Sequence, residues 1–139
     1  MKLIRMSMEN FMPYKGSTQI AFPLEDQRNV MIIFGENMRG KTSFLNALRW
    51  GFYGKAVGRQ LREIPLHELH NKQAALEGDW TMEVRIEFEA DNHVYNLLRR
   101  ATKRSIVAKP SRAEDYVVEV LLQKDSIAVS GLNVESEIN

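Results

Sequence analysis

Residues Gly35-Glu36-Asn37-Met38-Arg39-Gly40-Lys41-Thr42 fit the spacing G-x-x-x-x-G-K-[ST], and no other stretch constrains the fold so tightly. An unbroken apolar run, Val30-Met31-Ile32-Ile33-Phe34, leads into it, of the kind buried on both faces of a sheet. Out of it runs Ser43-Phe44-Leu45-Asn46-Ala47-Leu48-Arg49-Trp50, with apolar residues at helical spacing. Strand, glycine loop and helix together form a phosphate-binding context, whereas a glycine turn alone does not. Glycines at 35 and 40 let the backbone curl so that N–H groups converge on an anion, and the helix N-terminus adds positive potential. Lys41 would then reach the β- and γ-phosphates as a point charge, which makes it the candidate catalytic residue. Thr42 would offer its hydroxyl to Mg²⁺, and Ser43 would add a contact to the α-phosphate. The candidate nucleotide-binding set is therefore Gly35, Glu36, Asn37, Met38, Arg39, Gly40, Lys41, Thr42 and Ser43, with ATP and Mg²⁺ as the expected cofactors.

The chain has 139 residues, one domain's worth and enough for a real core. A formal net charge of +1 gives no global bias toward nucleic acid or an acidic surface. The absence of cysteine removes disulfides and thiolate metal sites. Charges spread through Met1-Lys2-Leu3-Ile4-Arg5 do not read as a signal peptide, and no apolar run approaches membrane-spanning length. A cytoplasmic, soluble protein with no membrane partner is expected.

Period-two alternation predicts a strand over residues 2–10 and another over 18–22, paired with the first. A helix is expected from Lys41 to Tyr53, stopped by Gly54. Residues 55–79 read as an irregular connector, with Pro65 opening a short helix and partial helix over 71–78. Beyond it, Trp80, Met82, Val84, Ile86 and Phe88 alternate with polar residues and turn at Asp91-Asn92-His93 into a second strand. Residues 116–123 and 127–129 flank another turn, and 134–139 read as the first turn of a helix. The expected class is α/β (α+β): strands and a phosphate-loop unit over 1–54, the connector over 55–79, antiparallel hairpins over 80–133, and the start of a helix over 134–139. A doubly wound nucleotide fold would alternate strands and helices throughout, and this chain does not.

Hydrolysis by a phosphate-loop protein generally needs a further acid on Mg²⁺, at the end of another buried strand. The nearest apolar run, Val117-Val118-Glu119-Val120-Leu121-Leu122, is interrupted by Glu119 and separated from Asp125 by Gln123-Lys124. Glu87 and Glu89 sit on the wet side of an alternating strand. Neither is well placed for the metal, and the catalytic half of the site is expected to be absent from this sequence.

Several of these residues resemble the N-terminal part of the SMC/RecN-like ATPases, the ABC-type heads that work on DNA. They are Leu3-Ile4-Arg5-Met6-Ser7-Met8-Glu9-Asn10-Phe11, Ile33-Phe34-Gly35-Glu36-Asn37, Gly40-Lys41-Thr42-Ser43 and Leu45-Asn46-Ala47-Leu48. Within that group, Leu48-Arg49-Trp50-Gly51-Phe52-Tyr53-Gly54-Lys55 and Ile64-Pro65-Leu66-His67-Glu68-Leu69 look most like the DndD proteins linked to DNA phosphorothioation. The resemblance implies a lobe joined through a coiled coil to a C-terminal lobe that carries the signature motif and the acids. It also implies ATP sandwiched between two heads, with DNA and other DNA-modification proteins as partners. Arg62 falls where such heads often carry an arginine that helps the γ-phosphate. The chain departs from the pattern at Met38, usually Gly, and at Met12, usually basic. Two rival readings are an ATP-gated dimerisation clamp with little turnover and a stand-alone phosphate-loop kinase of a small molecule.

Arg99, Arg100, Lys103, Arg104, Lys109 and Arg112 form a stretch without acids that reads either as DNA-phosphate contacts or as a solvated loop. Arg99, Arg100 and Arg104 are the candidate DNA contacts. His67 and His70 lie at i and i+3 but lack a third metal ligand at useful spacing. Trp50, Phe52 and Tyr53 follow helical spacing and read as core. Tyr14 and Phe11 are both candidates for the adenine, and the sequence does not choose between them.

Overall fold

The computed structural model describes residues 1–36 and 40–129. The expected helix start at 134–139, and Asn37, Met38 and Arg39 of the loop, lie outside the described residues. Six strands form one antiparallel sheet: β1 (Lys2–Phe11), β2 (Tyr14–Ala21), β3 (Thr81–Ala90), β4 (His93–Lys103), β5 (Tyr116–Lys124) and β6 (Ile127–Val129). Their order across the sheet is β2-β1-β3-β4-β5-β6. Among the described residues one long helix, α1 (Lys41–Tyr53), packs on one face, and two short α-helices, α2 (Leu66–Leu69) and α3 (Lys72–Leu76), lie in the connector.

Alternation decides which face is buried. Met6, Ile86, Leu97 and Leu122 are cross-strand neighbours from β1 to β5, and all four are inaccessible to solvent or nearly so. The opposite face carries the row Glu9, Glu83, Arg100 and Glu119, also in register. Such rows are the units that stabilise a sheet, apolar on the covered side and ionic on the wet side. The β1–β3 pairing brings the first and second halves of the chain into the same sheet, although about 70 residues of sequence separate some of the paired positions, as with Glu9 and Glu83.

The α1 residues Ser43, Phe44, Asn46, Ala47, Trp50 and Gly51 are buried, the stripe expected of a helix lying on a sheet. Gly51 lets the helix come close: a Cβ there would sit 2.6 Å from Ile86 Cδ1 and 3.0 Å from Val84 Cγ1. Trp50 stacks in tilted fashion on Phe11 at 5.9 Å, and Phe52 meets Phe88 edge-on at 5.3 Å. Gly54, at φ 72°, stops the helix with its N–H on the Trp50 carbonyl. Asn46 ties the helix to the connector by donating to the Val57 carbonyl and accepting from the Val57 N–H.

Asn10 fixes the end of β1. Its backbone is left-handed (φ 52°), a conformation Asn tolerates better than most residues, and the β1 register shifts at this point. The side chain donates to the Asp79 carboxylate and the Thr81 carbonyl, and accepts from the Gly16 N–H. One buried amide therefore joins the β1–β2 turn to the start of β3.

The strand expected over residues 30–34 is not formed. No ladder bonds from the described residues reach this segment, and Val30, Ile32 and Phe34 are 77%, 69% and 88% exposed. A strand buried on both faces needs sheet neighbours and covering layers. All pairings among the described strands are antiparallel, and none involves these residues. Only Met31 packs partly against the core.

Candidate functional site

The two ends of the loop are held by different elements. Gly35 follows the irregular apolar run, whereas Gly40 immediately precedes α1 in a left-handed conformation (φ 106°), where a side chain would be strained. The Lys41 stem folds back along Gly35, so that a Cβ on Gly35 would be 3.4 Å from Lys41 Cγ. The Lys41 Cδ and Cε lie 3.5 and 3.9 Å from the same point, so the side chain runs beside Gly35 in ordinary van der Waals contact. Among the described residues no side chain caps the N-terminus of α1, and its first turn holds no acid. The leading N–H groups and the positive end of the dipole at such a helix start suit an anion. Thr42 is exposed at this end and Ser43 is buried under it.

A cleft of about 360 Å³ opens beside Gly35 and Lys41, walled by Tyr14, Ile20, Phe34 and Phe44 among others, with no carboxylate in its described lining. The residues fit a polyphosphate: a cation, a glycine turn and an uncapped helix start, next to an apolar wall. Bound Mg²⁺ would supply charge neutralisation of the phosphates, with the Thr42 hydroxyl as its protein ligand. Tyr14 enters the cleft from the start of β2, and its hydroxyl donates to the Gly40 carbonyl at 2.9 Å. Burial raises its pKa above the ordinary phenol value, so it remains a donor. Phe11, fully buried against Trp50, does not line this cleft, so of the two adenine candidates only Tyr14 reaches it.

The remaining candidates are dispersed. Arg62 is exposed at the end of a short 3-10 turn (Arg59–Leu61), and its carbonyl accepts from the Gly58 N–H. Arg99 and Arg100 are neighbours on β4 and so point to opposite faces. Arg99 takes the helix side: its Nε donates to the Gly51 carbonyl at 3.2 Å, and the guanidinium lies 6.0 Å from the Trp50 ring centre. Arg100 takes the wet side, bonded to Glu83 at 2.7 Å and within 3.4 Å of Glu119. Burial pushes the Glu83 carboxyl up, but hydrogen bonds from Arg100 and Arg85 outweigh it and leave the group below its ordinary value. Arg104 donates from Nε to the Glu114 carbonyl and from its backbone to the Asp115 carbonyl. Arg112 pairs with Asp115 at 3.6 Å. The cations contiguous in sequence are thus split between two faces of the sheet and the loop between β4 and β5.

The acids considered for the metal are also engaged elsewhere. Asp125 lies in the β5–β6 turn, accepting from the Val94 N–H at 2.9 Å and facing His93 Nδ1 at 2.6 Å. The Val94 N–H, followed by His93, holds this carboxyl below its usual range. Glu87 lies 3.7 Å from Arg5 on the wet face. His70 is buried; its Nε2 donates to the Asp79 carbonyl at 2.8 Å and its ring lies against Trp80, while burial lowers its pKa. Among the described residues no group of three or more His, Asp or Glu is arranged to hold a metal ion.

Two contacts escaped the sequence reading. The Tyr14–Gly40 bond spans 26 residues and leaves no trace in periodicity. The helix-facing role of Arg99 is legible in principle from its parity with Leu97 and Ala101, which are both buried, although the run of cations suggests only DNA-phosphate contacts or a solvated loop.

A family model described as an AAA domain matches residues 5–136. A search of curated proteins found no match.

Proposed function

Because this chain belongs to that AAA-domain family, within which it is an SMC-like ATPase lobe, we propose that it is the N-terminal half of an ATPase head. In this reading it grips ATP–Mg²⁺ through the loop from Gly35 to Ser43 and needs a C-terminal lobe and a second head for turnover. One observation carries the reading: the apolar run into the loop lies exposed, with no ladder partner among the described residues. A strand-forming sequence without a sheet is what an N-terminal lobe offers to strands contributed by another lobe. The run is continuous with a second apolar groove of about 580 Å³ lined by Phe22, Ile33, Phe44, Leu45 and Leu48. Surface apolar patches of this kind mark interaction sites.

In the assembled head, Lys41 would neutralise charge on the β- and γ-phosphates, and Thr42 would hold the metal. The acids on Mg²⁺ and on the attacking water would come from the other lobe, since the described lining of the cleft has none. A DNA-associated role rests on the resemblance to SMC/RecN-like heads over residues 3–11, 33–37, 40–43 and 45–48, and a place among DndD-like proteins on the patterns over 48–55 and 64–69. A clamp in which ATP closes a dimer with little turnover uses the same loop and differs only in rate.

The test is a steady-state ATPase assay and a binding titration on the purified 139-residue chain. It should bind ATP–Mg²⁺, lose that binding on Lys41→Ala, and release phosphate at a rate indistinguishable from the Lys41→Ala control. Robust turnover by the isolated chain would sink the divided-site reading and favour the kinase alternative.

A further inference from the structure

We infer that Tyr14 is a positioning residue for the phosphate loop, acting through the Gly40–Lys41 peptide and not through the nucleotide base. The inference rests on the nucleotide-binding reading of the loop and adds a residue to it.

The Gly40 carbonyl accepts two hydrogen bonds, from the Tyr14 hydroxyl at 2.9 Å and from the Phe44 N–H at 2.8 Å, the first bond of α1. An sp² oxygen with both lone pairs used has its direction fixed. Because a peptide unit is planar and trans, fixing the Gly40 C=O also fixes the Lys41 N–H, which points the opposite way from the same plane. That N–H begins the set that converges on a phosphate. The Phe44 bond belongs to the helix and moves with it. The Tyr14 bond refers the peptide to the sheet.

The turn that carries Tyr14 is itself held firmly. Tyr14 pairs with Phe11 across the β1–β2 turn, and the Gly16 N–H donates to Asn10. The Met12 N–H donates to the Leu69 carbonyl, while the Asn71 side chain donates to the Met12 carbonyl. The fit at Gly40 is close: a Cβ there would lie 2.7 Å from the Tyr14 oxygen. With Gly40 left-handed, the peptide that follows it would otherwise be comparatively free to rotate. Tyr14 removes that freedom before ligand arrives, which is how pre-organisation raises affinity.

The experiment compares wild type, Tyr14→Phe and Tyr14→Ala by calorimetric titration with ATP–Mg²⁺ and GTP–Mg²⁺, alongside ¹⁵N spectra of the nucleotide-free proteins. Tyr14→Phe keeps the ring and deletes only the hydroxyl. Its affinity should fall roughly 5- to 10-fold, the size of one net hydrogen bond, and by the same factor for both nucleotides. The Lys41 amide resonance should shift in the free Phe variant, a local signature that general loss of stability would not give. Unchanged affinity in Tyr14→Phe with loss only in Tyr14→Ala would overturn the inference in favour of ring packing. A loss confined to one base would overturn it in favour of a direct base contact. Failure of wild type to bind either nucleotide is a different result, which removes the loop reading itself.

Discussion

Arg99 shows how far a residue's role is set by the face on which it falls. Its neighbours in register, Met8, Val84 and Val120, belong to the helix-covered side, so a cation stands in a row otherwise apolar. It is retained there because α1 ends above it. The free carbonyls and negative dipole end of a helix favour a cation, and the Trp50 face adds a further attraction. Arg99→Met keeps most of the apolar stem and removes the charge. It should lower stability by about 1–2 kcal/mol, a few degrees in thermal midpoint, with a smaller loss at high salt. An unchanged midpoint in a thermal melt would show that the contact is incidental. Arg100, one residue on, should behave as a surface ion pair with Glu83 and Glu119. These opposite roles come from a two-residue period, which explains why a basic run in a strand does not form a basic patch.

At the scale of elements, α1 was readable because every local cue agreed. Gly40 lies before it and Gly54 after it, and its apolar spacing has one buried stripe; the expected bounds, Lys41 to Tyr53, are those observed. The hairpins of β3–β4 and β5–β6 were readable for the same reason, since their two-residue turns at Asp91-Asn92 and Asp125-Ser126 take the positive φ values these residues tolerate. Gly51 carried no such cue. In isolation Gly51→Ala favours a helix by about 1 kcal/mol, but here the new methyl meets Ile86 and Val84. Overpacking of that kind costs about 1–3 kcal/mol, partly relieved because Ile86 Cδ1 is the mobile end of its side chain. Gly51→Ala is therefore expected to be net destabilising by about 1 kcal/mol, and Gly51→Val more so. Thermal melts of the two variants decide it; a rise in midpoint for Ala would mean that helix and sheet separate at little cost.

For the molecule as a whole, the informative mismatch is the run at 30–34. Local sequence favours a buried strand, yet Val30, Ile32 and Phe34 face solvent. The described sheet does not provide the neighbours that such a pattern calls for. Ile32→Glu should then leave the thermal midpoint within about 0.5 kcal/mol of wild type, as for a surface position. It should also reduce concentration-dependent self-association in light scattering. Unfolding of the variant would show that the segment is core, against the docking role proposed for it. The cleft beside Lys41 follows the same logic: its cationic and glycine-rich parts are present, and carboxylates are absent from its described lining.

The sequence by itself determined the glycine-lysine-threonine spacing, the helix behind it, and the strands and turns of the second half. Those features depend on residues within a few positions of one another, where periodicity, caps and turn chemistry act. Only the tertiary structure decided that β1 and β3 join the two halves in one sheet, that Arg99 and Arg100 part to opposite faces, and that Tyr14 fastens Gly40. It also decided that the apolar approach to the loop goes without a ladder. Each of these depends on which distant partner is present, and local pattern carries no record of partners: an apolar run looks the same whether its sheet lies in this lobe or in another.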